Sequence, residues 1–344
     1  MSIKLKDIIY AKRGSTITSN EFKINPGSYP LISASAQNNG VFGYINSYMY
    51  EGGHITISMN GNAGCVFYQK DKFSANSDVL VLSNIDNKIS NNKFIFYWLK
   101  KHENTKIKSL CKGTTRLRLS NDDVLNLEIN LPPIEEQNAI ISIIEPLDIL
   151  ENKINKLKTV LKKLLINIYD KNCNSHVNLF ENNKIYTNKY LNQNLYCDTS
   201  CIGELEINFS KMINISLEDK PSRADLSIKN NSIIFSKLLG ENKVYCFLNN
   251  ENIVFSTGFF NIKSNDENND DLLSFLLSSD FKNQKSMLAN GTTMIGINNS
   301  DLTKVRCKAP FLNSNIYFTF FNKLNEIENK ITLARNKIVN LLIK

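Results

Sequence analysis

Two kinds of side chain in this sequence have the chemistry to act on a nucleic acid or a small molecule, and the first kind fails on spacing. Methylating an adenine amine takes an acidic or amide residue, two prolines and an aromatic in succession, which grip a flipped base. Asn130-Leu131-Pro132-Pro133-Ile134 inserts a leucine and lacks the aromatic. No G-x-G-x-x-G turn stands between a strand and a helix to hold a cofactor, and NGNAGC at 60–65 reads as a hairpin turn. There is no G-x-x-x-x-G-K-[ST] segment to drive ATP-dependent translocation. The seven cysteines are scattered without a C-x-x-C pair, and the three histidines (His54, His102, His176) lie far apart. That pattern argues against a structural zinc site and for reduced thiols in the cytoplasm. No catalytic residue, metal ligand or cofactor of its own is expected.

The second kind is the polar or basic loop residue, which supplies donors to phosphates and amide or guanidinium groups to base edges. A net charge of +8 permits a polyanionic partner without requiring one. In the first half the candidates are Lys12, Arg13, Gln37, Asn38, Asn39, Asn60, Asn62, Lys112, Thr114, Thr115, Arg116 and Arg118. In the second half they are Arg223, Lys237, Asn242, Lys243, Asn290, Thr292 and Thr293. Any one of these alone is most simply a solvated surface residue.

The elements that must position them follow from periodicity. Residues 1–110 alternate in short runs: ITISMNGNAGCVFY (55–68) predicts two strands joined at Asn60-Gly61-Asn62, SDVLVL (77–82) a further strand, and FIFYWLKK (94–101) a short helix. Between residues 131 and 170, Ile140, Ile143, Leu147, Leu150, Ile154, Leu157, Leu161, Leu164 and Ile168 are spaced alternately 3 and 4 apart. That is a coiled-coil seam, and it needs a partner surface. Pro132 and Pro133 mark the helix start, and Pro146 inside the heptads predicts a kink or broken turn. The polar, Asn-rich stretch 171–200 marks a boundary or a loosely packed entry into a second domain. Strand-like runs return in IGELEINF (202–209), 231–248 and 251–264, and DLLSFLLSSDFKNQKSML (271–288) has helical spacing. The last helix carries its own seam: Tyr317, Phe320, Leu324, Ile327, Ile331, Ala334, Ile338 and Leu341. No run approaches the length of a membrane span.

An internal repeat orders these pieces. LCKGTTRLRLSNDDVLNL (110–127) matches LANGTTMIGINNSDLTKV (288–305) at an offset of 291 − 113 = 178. ENKINKLKTVLKKLLI (151–166) matches ENKITLARNKIVNLLI (328–343) at 328 − 151 = 177. One unit has been copied, with a single indel between the two segments. The expected fold is α+β: two mostly-β repeats with small helices, separated by two long antiparallel coiled-coil helices with pseudo-twofold symmetry. The boundaries fall at 1–133, 134–172, 173–311 and 312–344. The acidic start of each helix would lie beside the basic end of the other. A span of about 28 residues makes ~42 Å of helix, comparable to the ~34–36 Å between DNA half-sites one turn apart.

Taken together, CKGTTRLRLS, LPPIEEQ, LDILENKINKLKTVLKKLLI, PSRADLSIKNNSIIFSK (221–237) and IVFSTGFF (253–260) resemble the specificity subunit of a type I restriction–modification system, over nearly the whole chain. The second helix opens with APFLNSNIY and lacks the EEQ signature. The resemblance implies two target recognition domains, each reading half of a bipartite sequence in double-stranded DNA, with no catalysis in this chain. It implies that the helices hold two adenine-methyltransferase subunits, that restriction and translocase subunits are further partners, and that S-adenosylmethionine binds the partner. The helix residues for that docking are Ile143, Leu147, Leu150, Ile154, Leu157, Leu161, Leu164, Phe320, Leu324, Ile327, Ile331, Ile338 and Leu341. Two other readings stay open: the recognition subunit of a type II enzyme with the same plan, and a two-domain coiled-coil scaffold that self-associates.

Overall fold

The run VLVL at 79–82 is β-branched at alternate positions and becomes an interior strand, Val79–Asn84, buried through its first four residues. In this computed structural model, which describes residues 2–240, 242–249, 252–292 and 294–343 (Ser210 by its backbone alone), the chain divides into two units. Residues 1–149 with 332–344 form the first, and 150–331 the second. Each long helix therefore contributes one end to each unit.

In the first unit a four-stranded antiparallel sheet runs in the order Ile9–Arg13, Val79–Asn84, His54–Ser58, Val66–Gln69. A three-stranded sheet has the order Val41–Ile45, Pro26–Ile32, Ser74–Ala75, with its last pair parallel. The helix Asn92–Lys101 is capped by the Asn91 side chain and lays Phe94, Ile95, Trp98 and Leu99 on the core beside Ile55, Ile57 and Leu82. Ser2–Lys4 pairs with Glu128–Asn130, which brings the chain back to the start of the first long helix.

The second unit repeats this plan, with one strand more in its second sheet. Its antiparallel sheet runs Asn183–Tyr186, Phe259–Ser264, Ser232–Ser236, Val244–Phe247. Its other sheet runs Ile213–Asn214, Leu195–Cys197, Ile253–Ser256, Ala224–Ser227, again with a parallel pair at Leu195–Cys197 and Ile253–Ser256. His176–Asn178 pairs with Arg306–Lys308, as Ser2–Lys4 does with Glu128–Asn130. The repeat in the sequence is thus a repeat of topology. The stretch 171–200, expected to be loosely packed, instead supplies three strands, because its Asn residues work as caps and turns: Asn178 caps the short helix Leu179–Asn182. The expected helix over 271–288 is two helices, Asn269–Leu277 and Ser279–Leu288, broken at Ser278, whose hydroxyl caps the second.

The first long helix, Ile134–Lys171, stays helical through Pro146, so the expected broken turn does not occur. Pro146 lies on the exposed side, as does Ser142, whose carbonyl has no N–H from residue 146 to accept. The two helix starts are anchored differently. Gln137 is fully buried; its amide donates to Ile89 O (2.9 Å) and Pro132 O (2.8 Å), and its oxygen accepts from Asn91 N (2.8 Å). The second long helix, Ile316–Leu342, is held by Asp270, which accepts from Tyr317 N (3.1 Å) and Phe318 N (2.7 Å). Asp271 accepts from the preceding backbone of Phe311, Leu312 and Asn313. A carboxylate at the positive end of the helix thus replaces the missing glutamine.

The expected seam is half right, and the error is the same in both helices. The column Ile140, Leu147, Ile154, Leu161 does face inward, as does Leu324, Ile331, Ile338. The other column is displaced by one residue, to Ile144, Glu151, Lys158 and Leu165 in the first helix and Phe321, Glu328 and Arg335 in the second. Ile143, Leu150, Leu157, Leu164, Phe320, Ile327 and Leu341 are exposed instead. The inward column is partly charged, and the charges are paired. Lys158 bonds Glu328 within the second unit, and Arg335 bonds Asp148 (3.1 Å) within the first. Following apolarity along the helix selects the outer column, since a buried charge is legible only with its partner.

Candidate nucleic-acid interface

Gly113 carries φ +118°, and a Cβ there would meet Arg116 O at 2.5 Å, so only glycine allows the loop after Lys112 to close on itself. The loop is shut by paired backbone bonds between Lys112 and Arg118, both 2.8 Å. Leu117–Arg118 then pairs with Asn60–Gly61 at the tip of the hairpin expected there. The far end of the four-stranded sheet is therefore fenced by two tight turns.

Most first-half candidates converge on this rim. Asn60 Nδ2 and Arg116 Nη2 (3.3 Å) donate to the two oxygens of Asp78. Asn62 Nδ2 reaches Ala34 O (3.1 Å), which draws in the loop bearing Gln37, Asn38 and Asn39. Asn38 and Asn39 sit at positive φ (48° and 51°), a conformation Asn tolerates better than most residues. Arg13 Nε bonds Asn121 Oδ1 (2.9 Å) and its Nη1 bonds Ser77 O (3.3 Å), so it braces the rim more than it projects. Lys12, Lys112, Thr114, Thr115 and Arg118 are exposed, with Lys112 4.0 Å from Asp123. The outcome is a surface of cations and amides around two partly exposed carboxylates, Asp78 and Asp123. Asp78 escapes sequence reasoning because an acid in SANSDVLVL has no visible link to residues 60 and 116.

The second unit builds the same turn. Gly291 has φ +116°, its Cβ would meet Met294 O at 2.6 Å, and Asn290 and Gly296 exchange backbone bonds. Gly296 pairs with Leu238 where the first unit pairs Arg118 with Asn60. Arg223 is exposed, with Nη2 3.7 Å from Met294 Sδ, and Thr292 is exposed. Asn290 bonds Asp301 (3.2 Å). Thr293 lies outside the described residues.

Three expected readers of the second unit are turned into the fold. Asn242 Nδ2 donates to Glu204 Oε1 (2.9 Å) and Leu276 O (3.2 Å), and Lys243 Nζ to Thr199 O (2.6 Å). Lys237 lies half-buried over the Phe260 ring at 4.9 Å, and burial pulls its pKa below the usual lysine range. All three lie in the connection between the strands Ser232–Ser236 and Val244–Phe247, where their side chains meet acceptors or rings of the fold before they reach solvent.

The exposed helix residues form a second kind of surface. In the second unit Leu150, Leu157 and Leu164 recur every seven residues, with Val160 beside them, and Phe320 and Ile327 do the same on the other helix. In the first unit the exposed large apolar residues of the long helices are Ile143, Ile149, Leu333, Leu341 and Leu342. Among the described residues no group of three or more His, Cys, Asp or Glu is placed to hold a metal, and no helix is long and apolar enough to cross a membrane.

Residues 1–164 match the family model described as type I restriction modification DNA specificity domain. The chain is 36% identical over 163 residues to a putative type I specificity subunit of Mycoplasma pneumoniae, covering 47% of this chain and 42% of that protein. It spans about half the length of the curated Mycoplasma relatives that it matches. The MjaVIII type I restriction enzyme specificity subunit of Methanocaldococcus jannaschii is 25% identical over 368 residues, covering 92% of this chain and 85% of the relative. In fold, the chain is similar to a type I restriction–modification S subunit from M. genitalium, with TM-score 0.60, 14% identity, and 100% and 96% of the two chains covered.

Proposed function

We propose that this chain, whose first 164 residues carry a type I restriction modification DNA specificity domain, is a DNA sequence-specificity subunit that reads a bipartite target and performs no catalysis itself. The observation that carries the reading is the closed glycine turn at 112–118 and its counterpart at 290–296, set at the same place in two units of one topology. Two reading heads of one design suit two half-sites. In the first unit Arg116, Arg118, Lys112 and Lys12, with Asn60, Asn62, Gln37, Asn38 and Asn39, offer guanidinium, ammonium and amide donors from short, braced turns. Guanidinium groups pair with guanine O6 and N7, amides with adenine N6 and N7, and the ammoniums hold phosphates. In the second unit Arg223, Thr292 and the 290–296 turn take that place.

Adenine-methyltransferase subunits are the proposed partners, with restriction and translocase subunits joining them, and S-adenosylmethionine belongs to the methyltransferase. What supports the docking reading is the outward column of the long helices, Leu150, Leu157 and Leu164 with Phe320 and Ile327 in the second unit and Ile143 in the first. Apolar residues at heptad spacing on an outer face suit cover by further helices. The seven free cysteines accord with work in the cytoplasm. The test is co-expression with the neighbouring methyltransferase gene, followed by sequencing of modified bases. A two-part motif bearing N6-methyladenine, lost when this gene is deleted, is the expected result. An unchanged set of modified sites would overturn the reading.

A further inference from the structure

The two closed turns share a register but differ in charge. At an offset of 178, Arg116 corresponds to Met294, Leu117 to Ile295 and Arg118 to Gly296. Both guanidinium positions of the first turn are thus lost from the second. Met294 is 58% exposed and Ile295 48%. They do not dangle. Ile295 O accepts from Leu239 N (2.9 Å), Ile297 N donates to Lys237 O (2.9 Å), and the Asn290–Gly296 pair closes the loop behind them. Two large apolar side chains thus project from a fixed backbone, Met294 where the first unit presents the Arg116 guanidinium and Ile295 where it presents the exposed Leu117, with Arg223 lying 3.7 Å from the Met294 sulfur.

In the major groove the base edges are hydrogen-bonding groups apart from one, the thymine 5-methyl. Resting on the reading of this chain as a DNA specificity subunit, we propose that the second unit recognises thymine methyl groups in its half-site through Met294 and Ile295, with Arg223 on an adjacent phosphate or guanine. The first unit reads acceptor-rich purine edges through Arg116 and Arg118. The two half-sites therefore differ in the kind of base contact made and not only in sequence.

The experiment uses the full chain in complex with its methyltransferase and the site found by modified-base sequencing. Duplexes carry deoxyuridine for thymidine in one half-site at a time, which removes the methyl and leaves base pairing and charge intact. Binding is followed by fluorescence anisotropy. Substitution in the half-site of the second unit should weaken binding about fourfold per contacted methyl, the loss expected for one buried CH₂-sized group. Substitution in the other half-site should change it less than twofold. The double variant Met294→Ala/Ile295→Ala, both residues being exposed, should keep its melting temperature and its salt dependence while losing the distinction between thymidine and deoxyuridine. Equal binding of both duplexes in both half-sites, a double variant that still discriminates, or a half-site without thymine would overturn the proposal. Absence of any modified motif or of DNA binding by the complex would instead overturn the functional reading beneath it.

Discussion

Lys158 is 5% exposed and bonded to Glu328, whose side chain is 21% exposed, while Leu157 beside it is 41% exposed. This arrangement predicts an unequal pair of single mutants. Glu328→Gln leaves a buried ammonium without its counter-charge, and breaking a buried pair in this way costs about 3–5 kcal/mol. Lys158→Met leaves a carboxylate that still touches water and puts an apolar chain in the buried slot, so the cost falls to about 1–2 kcal/mol. The double variant Lys158→Met/Glu328→Met removes both charges and should return to within about 1 kcal/mol of the parent. Leu157→Gln, on the outer face, should stay within about 0.5 kcal/mol. For a unit of this size 1 kcal/mol moves the midpoint by about 2–4 °C, so Glu328→Gln should lower it by roughly 6–20 °C. Thermal unfolding followed by circular dichroism on the isolated chain gives the comparison. The reasoning is refuted if Leu157→Gln destabilises more than Glu328→Gln, or if the double variant costs the sum of the two singles.

Three further outcomes follow from single sites. Gln137→Ala removes three hydrogen bonds from a fully buried position and should cost about 2–4 kcal/mol in urea unfolding, with the loop at 86–91 losing hydrogen-exchange protection first. Gly113→Ala places a Cβ 2.5 Å from Arg116 O at φ +118°, a strain of about 1–3 kcal/mol. The fold should survive it while DNA affinity of the complex, read by anisotropy, drops at least tenfold; parental affinity would count against the turn as a reader. Lys285 is buried and its amine donates to Ser236 O (2.5 Å), and burial pulls its pKa down to about 8 from 10.5. The charged form is disfavoured on folding, so the penalty is full below pH 8 and fades as pH rises towards 10.5. Relative to Lys285→Met, the parent should gain up to about 3 kcal/mol between those values, measured as the difference in unfolding free energy.

The repeat, the alternation of β-rich stretches with two long helices, and the glycine turns at 113 and 291 were legible because each rests on local pattern. A heptad spacing, a hairpin dipeptide or a GTT loop copied at a constant offset needs no distant partner to be seen. The positive φ at both glycines is the physical reason the motif recurs. Asn242, Lys243 and Lys237 looked like readers by residue type, yet a polar side chain in a connection between strands goes wherever an acceptor or a ring lies, and theirs are Glu204, Thr199 and the Phe260 ring. The capping work of the 171–200 asparagines was likewise hidden, since composition counts them as loop.

The sequence by itself determined the two-copy architecture, the helix starts at 134 and, within four residues, at 312 against the observed Ile316, and the turns that carry the candidate residues. Only the tertiary structure decided which helical column faces inward, which cations are free, and that Asp78 stands at the centre of the first rim. Each of these depends on pairing across long separations: Lys158 with Glu328, Arg335 with Asp148, Arg116 with Asp78. A charge can be buried where its partner already waits, and apolar residues of a regular heptad column can be left outside. Neither fact is written in the spacing of one helix.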